Sequence, residues 1–507
     1  MSLATIFTRA SIGIEAPQIN VEVHISNGMP NFTLVGLPEA TVKEAKDRVR
    51  SALINSGFTF PSKKITVNLS PADLPKEGSR FDLPIAIAIL AASEQIPVAE
   101  LANYEFLGEL ALSGEVRAVK GAIPSALGAQ RKKRCLVLPS SNASEIRLIK
   151  DNTVLVCENI LQIAQHLTKE HNLEQVAYLV TADNEEYVND LQDIIGQEHA
   201  KRALEIAAAG GHNLLLIGPP GTGKTMLATR LTDLLPPLND QESLETAAIN
   251  SLVNITHISR NWRKRPFRSP HHSSSAAALV GGGSIPKPGE ISLAHNGILF
   301  LDELPEFNRK VLDALREPLE SGEIVISRAN AKVTFPARVQ LIAAMNPSPT
   351  GHYQGLHNRT SPQQVMRYLN RLSGPFLDRF DLSIEVPLLP KGTLSQQTKA
   401  GETTATVKQR VINARNIQIQ RSNKINSNLS NKEITQFCYL KTEDNAFLEQ
   451  ALLKLGLSAR AWHRILKVSR TIADLEEAES IERKHLSEAL GYRTMDKLLA
   501  HLHRNLA

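Results

Sequence analysis

The sequence predicts an α/β protein in which a parallel-sheet core with an α-helical lid follows a separate α+β domain. The core is indicated by residues 218–225 (GPPGTGKT), which fit the phosphate-loop pattern G-x-x-x-x-G-K-[ST] between an apolar run and a helical stretch. A second continuous apolar run, at residues 298–301, is typical of a buried parallel strand. An amphipathic stretch at residues 457–470 predicts the lid, and short alternating strands and helices predict the first domain.

Composition sets the number of domains and the class of protein. The 507 residues are 42% hydrophobic and 21% charged, which is ordinary for a globular protein, and the length predicts about three or four domains. We find no run of about 18 apolar residues and no secretory signal in residues 1–10, so we expect a cytoplasmic protein with no membrane span. Three separated cysteines fit a reducing compartment. A net charge of +5 permits a nucleic-acid partner without predicting one.

The first third is predicted to be a domain spanning residues 1–170. Residues 20–25 alternate as a half-buried strand does, and the helical pattern of residues 42–56 ends at Gly57, a suitable C-cap. The later predicted elements are a strand at 65–69, a buried helix at 82–92, a hairpin within 105–117, a helix at 123–133 and a strand at 134–139. Polar residues 171–189 lack periodicity and are predicted to be a linker.

This order of elements, with the phrase at residues 75–84 (PKEGSRFDLP), resembles the proteolytic domain of Lon-type proteases. The resemblance places Asp82 at or next to the position of the nucleophilic serine and Ile123 near that of the general-base lysine. Ser79 and Lys120 lie nearby but are shifted, whereas a serine–lysine dyad needs both groups within hydrogen-bond reach. The resemblance therefore favours a non-proteolytic domain that serves ring assembly or DNA contact.

The phosphate loop predicts a nucleoside triphosphate site at the start of a core spanning residues 190–390. Glycines let consecutive N–H groups point at phosphate oxygens, and the following helix adds a favourable dipole. We expect Lys224 to reach the β- and γ-phosphates and Thr225 to hold Mg²⁺. The predicted ligands are ATP and Mg²⁺, and the predicted binding residues are Gly218, Pro219, Pro220, Gly221, Thr222, Gly223, Lys224 and Thr225.

Polar residues at the ends of two further apolar runs are predicted to complete a hydrolytic site. Asp302 and Glu303 follow residues 298–301; we expect Asp302 to orient Mg²⁺ and Glu303 to polarise the attacking water. Asn346 ends the run at 340–345, where it is predicted to sense the γ-phosphate.

An arginine is also predicted to act on the site from a neighbouring subunit. Arg379, in the phrase LDRFD at 377–381, is the candidate arginine finger, and Arg371 is the alternative. A finger that acts in trans requires neighbours, and closed rotational symmetry is the usual solution.

These motifs resemble those of AAA+ ATPases, and longer phrases resemble the YifB/ComM family within the magnesium-chelatase-like group. The phrases are residues 35–39 (VGLPE), 268–275 (RSPHHSSS), 281–283 (GGG), 286–297 (PKPGEISLAHNG) and 302–307 (DELPEF). The likeness covers nearly the whole chain. It implies a homo-oligomeric ring, with six subunits expected, whose partners are single-stranded and branched DNA.

The resemblance makes residues of about 258–290 an insert in the second motor helix that projects into a central pore. This stretch carries many cations and the single acid Glu290, which suits contacts to phosphates. A second hairpin is predicted at residues 322–335, with basic residues near its tip. The candidate DNA contacts are Arg263, Lys264, Arg265, Arg268, Lys287, Arg328 and Lys332.

Members of this family often carry two Cys-x-Cys pairs after the sensor asparagine, a set suited to zinc. Here the corresponding positions hold Ser348, Thr350, Asn358 and Thr360, so we expect no structural zinc site.

The last predicted unit is the lid, residues 391–507. Residues 391–406 are polar, and residues 457–470 form an amphipathic helix with Ser458 as its N-cap. The resemblance places Arg460 where AAA+ lids carry the second sensor arginine, and residues 484–493 are predicted to form a further helix.

The family resemblance implies an ATP-dependent DNA translocase or helicase that promotes branch migration and the integration of single strands in natural transformation. Alternatives are a chelatase-type or chaperone ATPase, which shares the motor, and a Lon-like ATP-dependent protease, which shares both parts.

Overall fold

The chain folds around two large β-sheets that belong to successive domains. The computed structural model describes residues 2–36, 39, 42, 44–179, 190–254, 258–283, 286–328, 331–351, 360–390 and 401–506. Across these ranges we find no helix whose length and apolar character would let it cross a membrane.

The N-terminal domain is a mixed sheet with helices packed on it. Its elements in chain order are β1 (Ser2–Arg9), β2 (Gln18–Ser26), β3 (Asn31–Val35), α1 (Ala45–Asn55), β4 (Lys64–Ser70), α2 (Asp82–Ala92), β5 (Tyr104–Phe106), β6 (Glu109–Leu110), β7 (Val116–Arg117), α3 (Ala122–Arg131), β8 (Cys135–Pro139), α4 (Ala143–Ile146), β9 (Val154–Cys157), α5 (Ile160–Leu167) and β10 (Glu174–Gln175). The eight-stranded sheet has the order β10-β9-β8-β5-β1-β2-β4-β3, and β6 and β7 form a separate hairpin.

Burial explains why these segments take their structures. β2 alternates between buried and half-buried residues, because one of its faces lies on the core. All residues of α2 are buried, so its apolar sequence fills the centre of the domain rather than one stripe. The predicted hairpin at 105–117 is shorter than expected, because Glu105 belongs to the sheet strand β5 and only β6 and β7 pair around Gly114.

The boundary after this domain differs from the prediction. Residues 174–175, placed in the linker by sequence, pair with β9 as the edge strand β10. The backbone N–H of Leu179 donates to Arg147 O at 2.9 Å, so the domain extends at least to that residue. A two-residue strand carries too little alternation to be recognised in a sequence. The rest of the predicted linker, 180–189, lies outside the described residues.

The motor domain contains a five-stranded parallel sheet in the order β12-β15-β18-β11-β19. Its elements are α6 (Glu198–Gly210), β11 (Leu214–Ile217), α7 (Lys224–Leu234), α8 (Asp240–Ser251), β12 (Phe267–Arg268), α9 (Ala276–Val280), β13 (Gly281–Gly282), β14 (Lys287–Pro288), α10 (Glu290–Leu293), β15 (Ile298–Leu301), α11 (Arg309–Ala314), α12 (Arg316–Ser321), β16 (Glu323–Arg328), β17 (Ala331–Pro336), β18 (Gln340–Met345), α13 (Pro362–Leu369), α14 (Gly374–Leu377) and β19 (Leu382–Glu385). The carboxyl ends of all five strands meet at one edge, where the phosphate loop follows β11.

The predicted insert at 258–290 is smaller than expected. Phe267 and Arg268 form β12, an edge strand of the motor sheet, so the segment before it is part of the core. The same stretch contains a short hairpin of β13 and β14 between helices α9 and α10, here called the insert hairpin. The second predicted hairpin is present as β16 and β17.

The lid is a helical bundle that packs on the back of the motor. Its helices are α15 (Thr404–Ser422), α16 (Asn431–Phe437), α17 (Thr442–Leu455), α18 (Ala459–Leu475), α19 (Arg483–Gly491) and α20 (Thr494–Leu506). Ser458 is the N-cap of α18 as predicted, but its side chain makes no capping hydrogen bond. His212, just before β11, contacts Thr471 Oγ1 at 2.7 Å, which ties the lid to the start of β11.

Candidate nucleotide-binding site

The phosphate loop emerges from the buried strand β11 with little space around its first glycine. Gly218 N donates to Met345 O at 3.1 Å, and a Cβ at Gly218 would lie 2.2 Å from Val386 O. Gly221 and Gly223 have φ of 77° and 83°, in the left-handed region that favours glycine. A Cβ at either position would meet nothing within 4 Å, so the curled backbone borders open space.

Lys224 begins helix α7 and points back across the loop. Its Nζ donates to Gly218 O and Pro219 O at 2.8 Å each and to Asn346 Oδ1 at 3.2 Å. Burial lowers the pKa of Lys224, and the nearby carboxylate of Asp302 opposes that shift. The structure therefore joins the loop lysine and the predicted sensor asparagine in one site.

Thr225 and Asp302 form the candidate magnesium pair. Thr225 Oγ1 donates to Asp302 Oδ2 at 2.8 Å, and Asp302 Oδ1 accepts from Glu303 N at 2.9 Å. A hydroxyl and a carboxylate are oxygen ligands of the kind Mg²⁺ prefers. These residues border a cavity of about 450 Å³ together with the loop, Glu303 and Asn346. The donor set and the open space thus fit a triphosphate with its metal ion.

Glu303 has a strained backbone and a partner that the sequence did not reveal. Its φ of 52° lies in the left-handed region, which non-glycine residues adopt at a cost and which recurs at functional sites. His272 Nδ1 lies 3.1 Å from Glu303 Oε2, so an imidazole holds the candidate catalytic carboxylate. His272 lies within residues 268–275, and its sequence position does not indicate this role, because only the fold brings it close to Glu303.

The predicted arginines are not at the phosphate loop of their own chain. Arg379 Nη2 donates to Glu320 Oε2 at 2.6 Å, and its carbonyl accepts from Asn213 Nδ2, at the amino end of β11. Four strand residues separate this edge from the loop, about 13 Å at the usual rise. The alternative finger Arg371 lies elsewhere, 3.0 Å from Glu306 Oε2.

Arg460 lies on the same side as Arg379. Its Nη1 is 3.5 Å from Asp378 Oδ2, and its side chain is 74% exposed. Arg464, one turn later in α18, donates to Asp378 Oδ1 at 2.8 Å and to Phe380 O at 3.1 Å. The structure places Arg460 beside Asp378, and its contact with a γ-phosphate stays a prediction.

Three of the predicted DNA contacts are engaged within the protein. Arg263 pairs with Asp240 at 2.6 Å, and Arg268 forms a bidentate pair with Glu290 at 2.7 and 2.8 Å. Arg265 donates to Pro236 O and Asn296 O at 2.7 Å each. A sequence does not show such long-range partners, so the prediction counted more outward-facing cations in residues 258–290 than the structure has.

The remaining predicted cations have different surroundings. Lys264, Lys287 and Lys332 are exposed, and Lys287 Nζ lies 4.0 Å from Glu77 Oε1. The backbone of Arg328 ends β16, but its side chain is outside what the structure describes.

Of the four positions that the family resemblance matches to cysteines, two lie in one described turn. Ser348 is buried and Thr350 exposed, with their hydroxyl oxygens 3.3 Å apart. Thr360 is described on the far side of the gap, whereas Asn358 lies outside the described residues.

Two residues of the phrase at 75–84, which resembles a protease site, make contacts other than a serine–lysine pair. Ser79 Oγ donates to the carboxylate of Glu109 instead of to an amine. Asp82, at the mouth of α2, is held by Arg48 at 2.7 and 3.0 Å, so it is committed to an ion pair.

Comparisons with known proteins match nearly the whole chain. Three family models match: "Magnesium chelatase, subunit ChlI" over residues 190–394, "Subunit ChlI of Mg-chelatase" over 21–142 and "Magnesium chelatase, subunit ChlI C-terminal" over 401–493. Competence protein ComM of Haemophilus influenzae is 62% identical over 99% of both chains. The uncharacterized YifB proteins of Salmonella typhimurium and Escherichia coli are 61% and 60% identical, each over the full length of both chains.

Proposed function

Because the chain belongs to the ComM/YifB family of magnesium-chelatase-like AAA+ ATPases, we propose that it is an ATP-driven DNA translocase that promotes branch migration. Its relative's name, competence protein, supports a role in integrating incoming single strands during natural transformation. We propose a cytoplasmic homo-oligomeric ring, with six subunits, that acts on single-stranded and branched DNA.

ATP hydrolysis is assigned to the loop and to the ends of β15 and β18. Lys224 would bind the β- and γ-phosphate oxygens, and Asn346 would sense the γ-phosphate through its contact with that lysine. Glu303 would accept the proton of the attacking water once it leaves His272. Thr225 and Asp302 would hold Mg²⁺, which neutralises charge on the phosphates when bound.

The ring is supported by the positions of the arginines. Arg379 and Arg460 lie at the amino edge of the sheet, about 13 Å from the loop by the strand rise, so they would serve a neighbour's nucleotide. Asp378 holds Arg460 and Arg464, and it would therefore position the lid arginine relative to the finger.

One observation supports coupling between ATP hydrolysis and DNA. The β16–β17 hairpin lies in the chain between β15, which precedes Glu303, and β18, which precedes Asn346. The chain runs from Glu303 through α11 and α12 into β16 and β17, and then through β18 to Asn346. The insert hairpin, β13 and β14, packs against the β16–β17 hairpin, because a Cβ on Gly281 would be 2.8 Å from Ile326 Cδ1. Exposed Lys287 and Lys332 lie on these two hairpins and would contact phosphates.

The test is movement of a four-way DNA junction by the purified protein, alongside ATPase rate with and without single-stranded DNA. We expect ATP-dependent strand exchange and a rate that DNA stimulates. Lys287→Ala combined with Lys332→Ala should lower the stimulation ratio, whereas Lys432→Ala, an exposed lysine of the lid, should not. If the protein neither moves the junction nor responds to DNA, the DNA function is rejected and a chelatase-type or chaperone ATPase is favoured. Casein cleavage would instead favour the protease.

A further inference from the structure

A second cavity, of about 560 Å³, lies between the N-terminal domain and the motor, away from the nucleotide site. It is bordered by Ser79, Arg80 and Lys120 of the first domain and by Leu252 and Lys287 of the motor. We propose that this cavity binds a phosphate-type oxyanion, either free phosphate or a phosphate of DNA, through Arg80.

Arg80 is buried, and no carboxylate of the described residues pairs with it. Its side chain donates through Nη2 to Lys120 O at 3.2 Å and Ser125 Oγ at 3.4 Å. Within the described residues, Nε and Nη1 have no acceptor. Burial lowers the pKa of Arg80 to about 10, which is still far above neutral pH, so the group remains charged.

The same domain shows what a satisfied buried arginine looks like. Arg9 has the same exposed fraction as Arg80, 4%, but Glu105 accepts from it at 2.6 and 2.9 Å. A buried charge without such a partner is costly unless a ligand supplies one. An oxyanion with two oxygens matches the planar fork of a guanidinium.

A helix N-terminus lies at the same place. Helix α3 begins after Gly121, which has a φ of 71° and provides no side-chain cap. A Cβ on Gly121 would be 3.8 Å from Arg80 Nη1, so the unpartnered nitrogen lies beside the helix start. Uncapped N–H groups and the helix dipole favour an anion there.

The acids at this cavity already have partners. Glu109 accepts the Ser79 hydroxyl, and Glu77 lies 4.0 Å from Lys287 Nζ. Arg80 and Lys120 therefore remain for the ligand. Because Lys287 belongs to the insert hairpin, an oxyanion bound here would bridge the first domain to the part of the motor that we assign to DNA.

The experiment compares thermal unfolding in phosphate and in chloride at equal ionic strength. All proteins carry Lys224→Ala, so phosphate bound at the nucleotide loop contributes equally to each. The parent in this experiment is the protein with Lys224→Ala alone. We expect phosphate to raise the Tm of this parent but not the Tm of the protein that also carries Arg80→Met, because a ligand stabilises only the state that binds it. In chloride, Arg80→Met should be at least as stable as the parent. Arg147→Met, an exposed arginine of the same domain, should keep the phosphate response.

Single-stranded DNA distinguishes the two sources. If DNA supplies the phosphate, added DNA should abolish the phosphate-dependent Tm shift, and Arg80→Met should bind DNA several-fold more weakly. If the anion is free phosphate, DNA should not change the Tm shift, and Arg80→Met should not change the DNA affinity. The proposal is overturned if phosphate shifts the Tm of the parent and of Arg80→Met equally. It is also overturned if phosphate does not shift the Tm of the parent and Arg80→Met leaves the DNA affinity unchanged.

If Arg80→Met does not fold, Lys120→Gln provides a second test, because this side chain is exposed. This variant should need several-fold more phosphate to reach half of the Tm shift. An unchanged midpoint overturns the proposal.

Discussion

The position of Arg379 leads to a quantitative prediction for mixed rings. Its guanidinium is held by Glu320 and its carbonyl accepts from Asn213 at the amino edge of the sheet, so we expect it to serve a neighbour's nucleotide rather than the loop of its own chain. Rings made only of Arg379→Ala should lose about 10³-fold or more in ATPase rate, the usual value of an arginine finger. Rings made only of Lys224→Ala should also be inactive, because their loops lack the phosphate-binding lysine.

Mixing the two inactive variants should restore turnover if the finger acts in trans. In an equal random mixture, half of the subunits have an intact loop, and half of those face a neighbour with an intact Arg379. About a quarter of the parent rate is therefore expected if sites fire independently. If the arginine acted in cis, every subunit would carry its own defect and the mixture would stay inactive.

The assay is steady-state ATP hydrolysis on rings that carry two different affinity tags and are purified through both, so that every ring is mixed. An equal mixture of Arg371→Ala and Lys224→Ala serves as the comparison for the alternative finger. An inactive mixed Arg379→Ala ring, or full activity in a homogeneous one, would refute the reasoning from the strand geometry.

Three further predictions concern separate parts of the molecule. Glu303→Gln should bind ATP with unchanged affinity, measured by a fluorescent analogue, yet lose at least about 100-fold in turnover, because the amide cannot accept the proton of water; turnover near the parent rate would remove Glu303 as the base. Asp474→Asn should lower the urea midpoint, with a loss of about 3 kcal/mol, because this buried carboxylate accepts from Arg421 at 2.7 and 2.8 Å and from Arg470 at 3.0 Å; an unchanged midpoint would contradict this. Burial raises the pKa of Glu145 to about 7, so the folded protein binds more protons than the unfolded chain between about pH 4.5 and 7, and stability from this group is lost as pH rises through 7. Glu145→Gln should therefore stabilise the protein at pH 8 by about 3 kcal/mol and leave it unchanged at pH 4, as chemical denaturation at the two pH values would show.

The nucleotide site was predictable because its information is local. The loop at 218–225 and the acids at 302 and 303 each follow a continuous apolar run, and parallel strands bring such ends to one edge. The contact between Lys224 and Asn346, and that between Thr225 and Asp302, follow once those strands are neighbours. The roles of these residues in hydrolysis and of the arginines in trans remain predictions.

The surface of the motor was less predictable because partners far apart in sequence decide what a cation does. Arg263 and Arg268 appeared to be free basic residues, but Asp240 and Glu290 lie beside them in the fold. Strands of two residues, such as β10 and β12, carry no period from which to recognise them. His272 could not be assigned, because its partner Glu303 is distant in the chain.

The first domain is also more than an attachment to the motor. A Cβ on Gly13 would lie 2.7 Å from Val333 Cγ1, so the β16–β17 hairpin packs directly on that domain. The hairpin leads through β18 to Asn346, which contacts Lys224. Packed interfaces of this kind shift between discrete arrangements rather than deform continuously. A change at the nucleotide that moves the hairpin must therefore either carry the first domain with it or break its contact at Gly13.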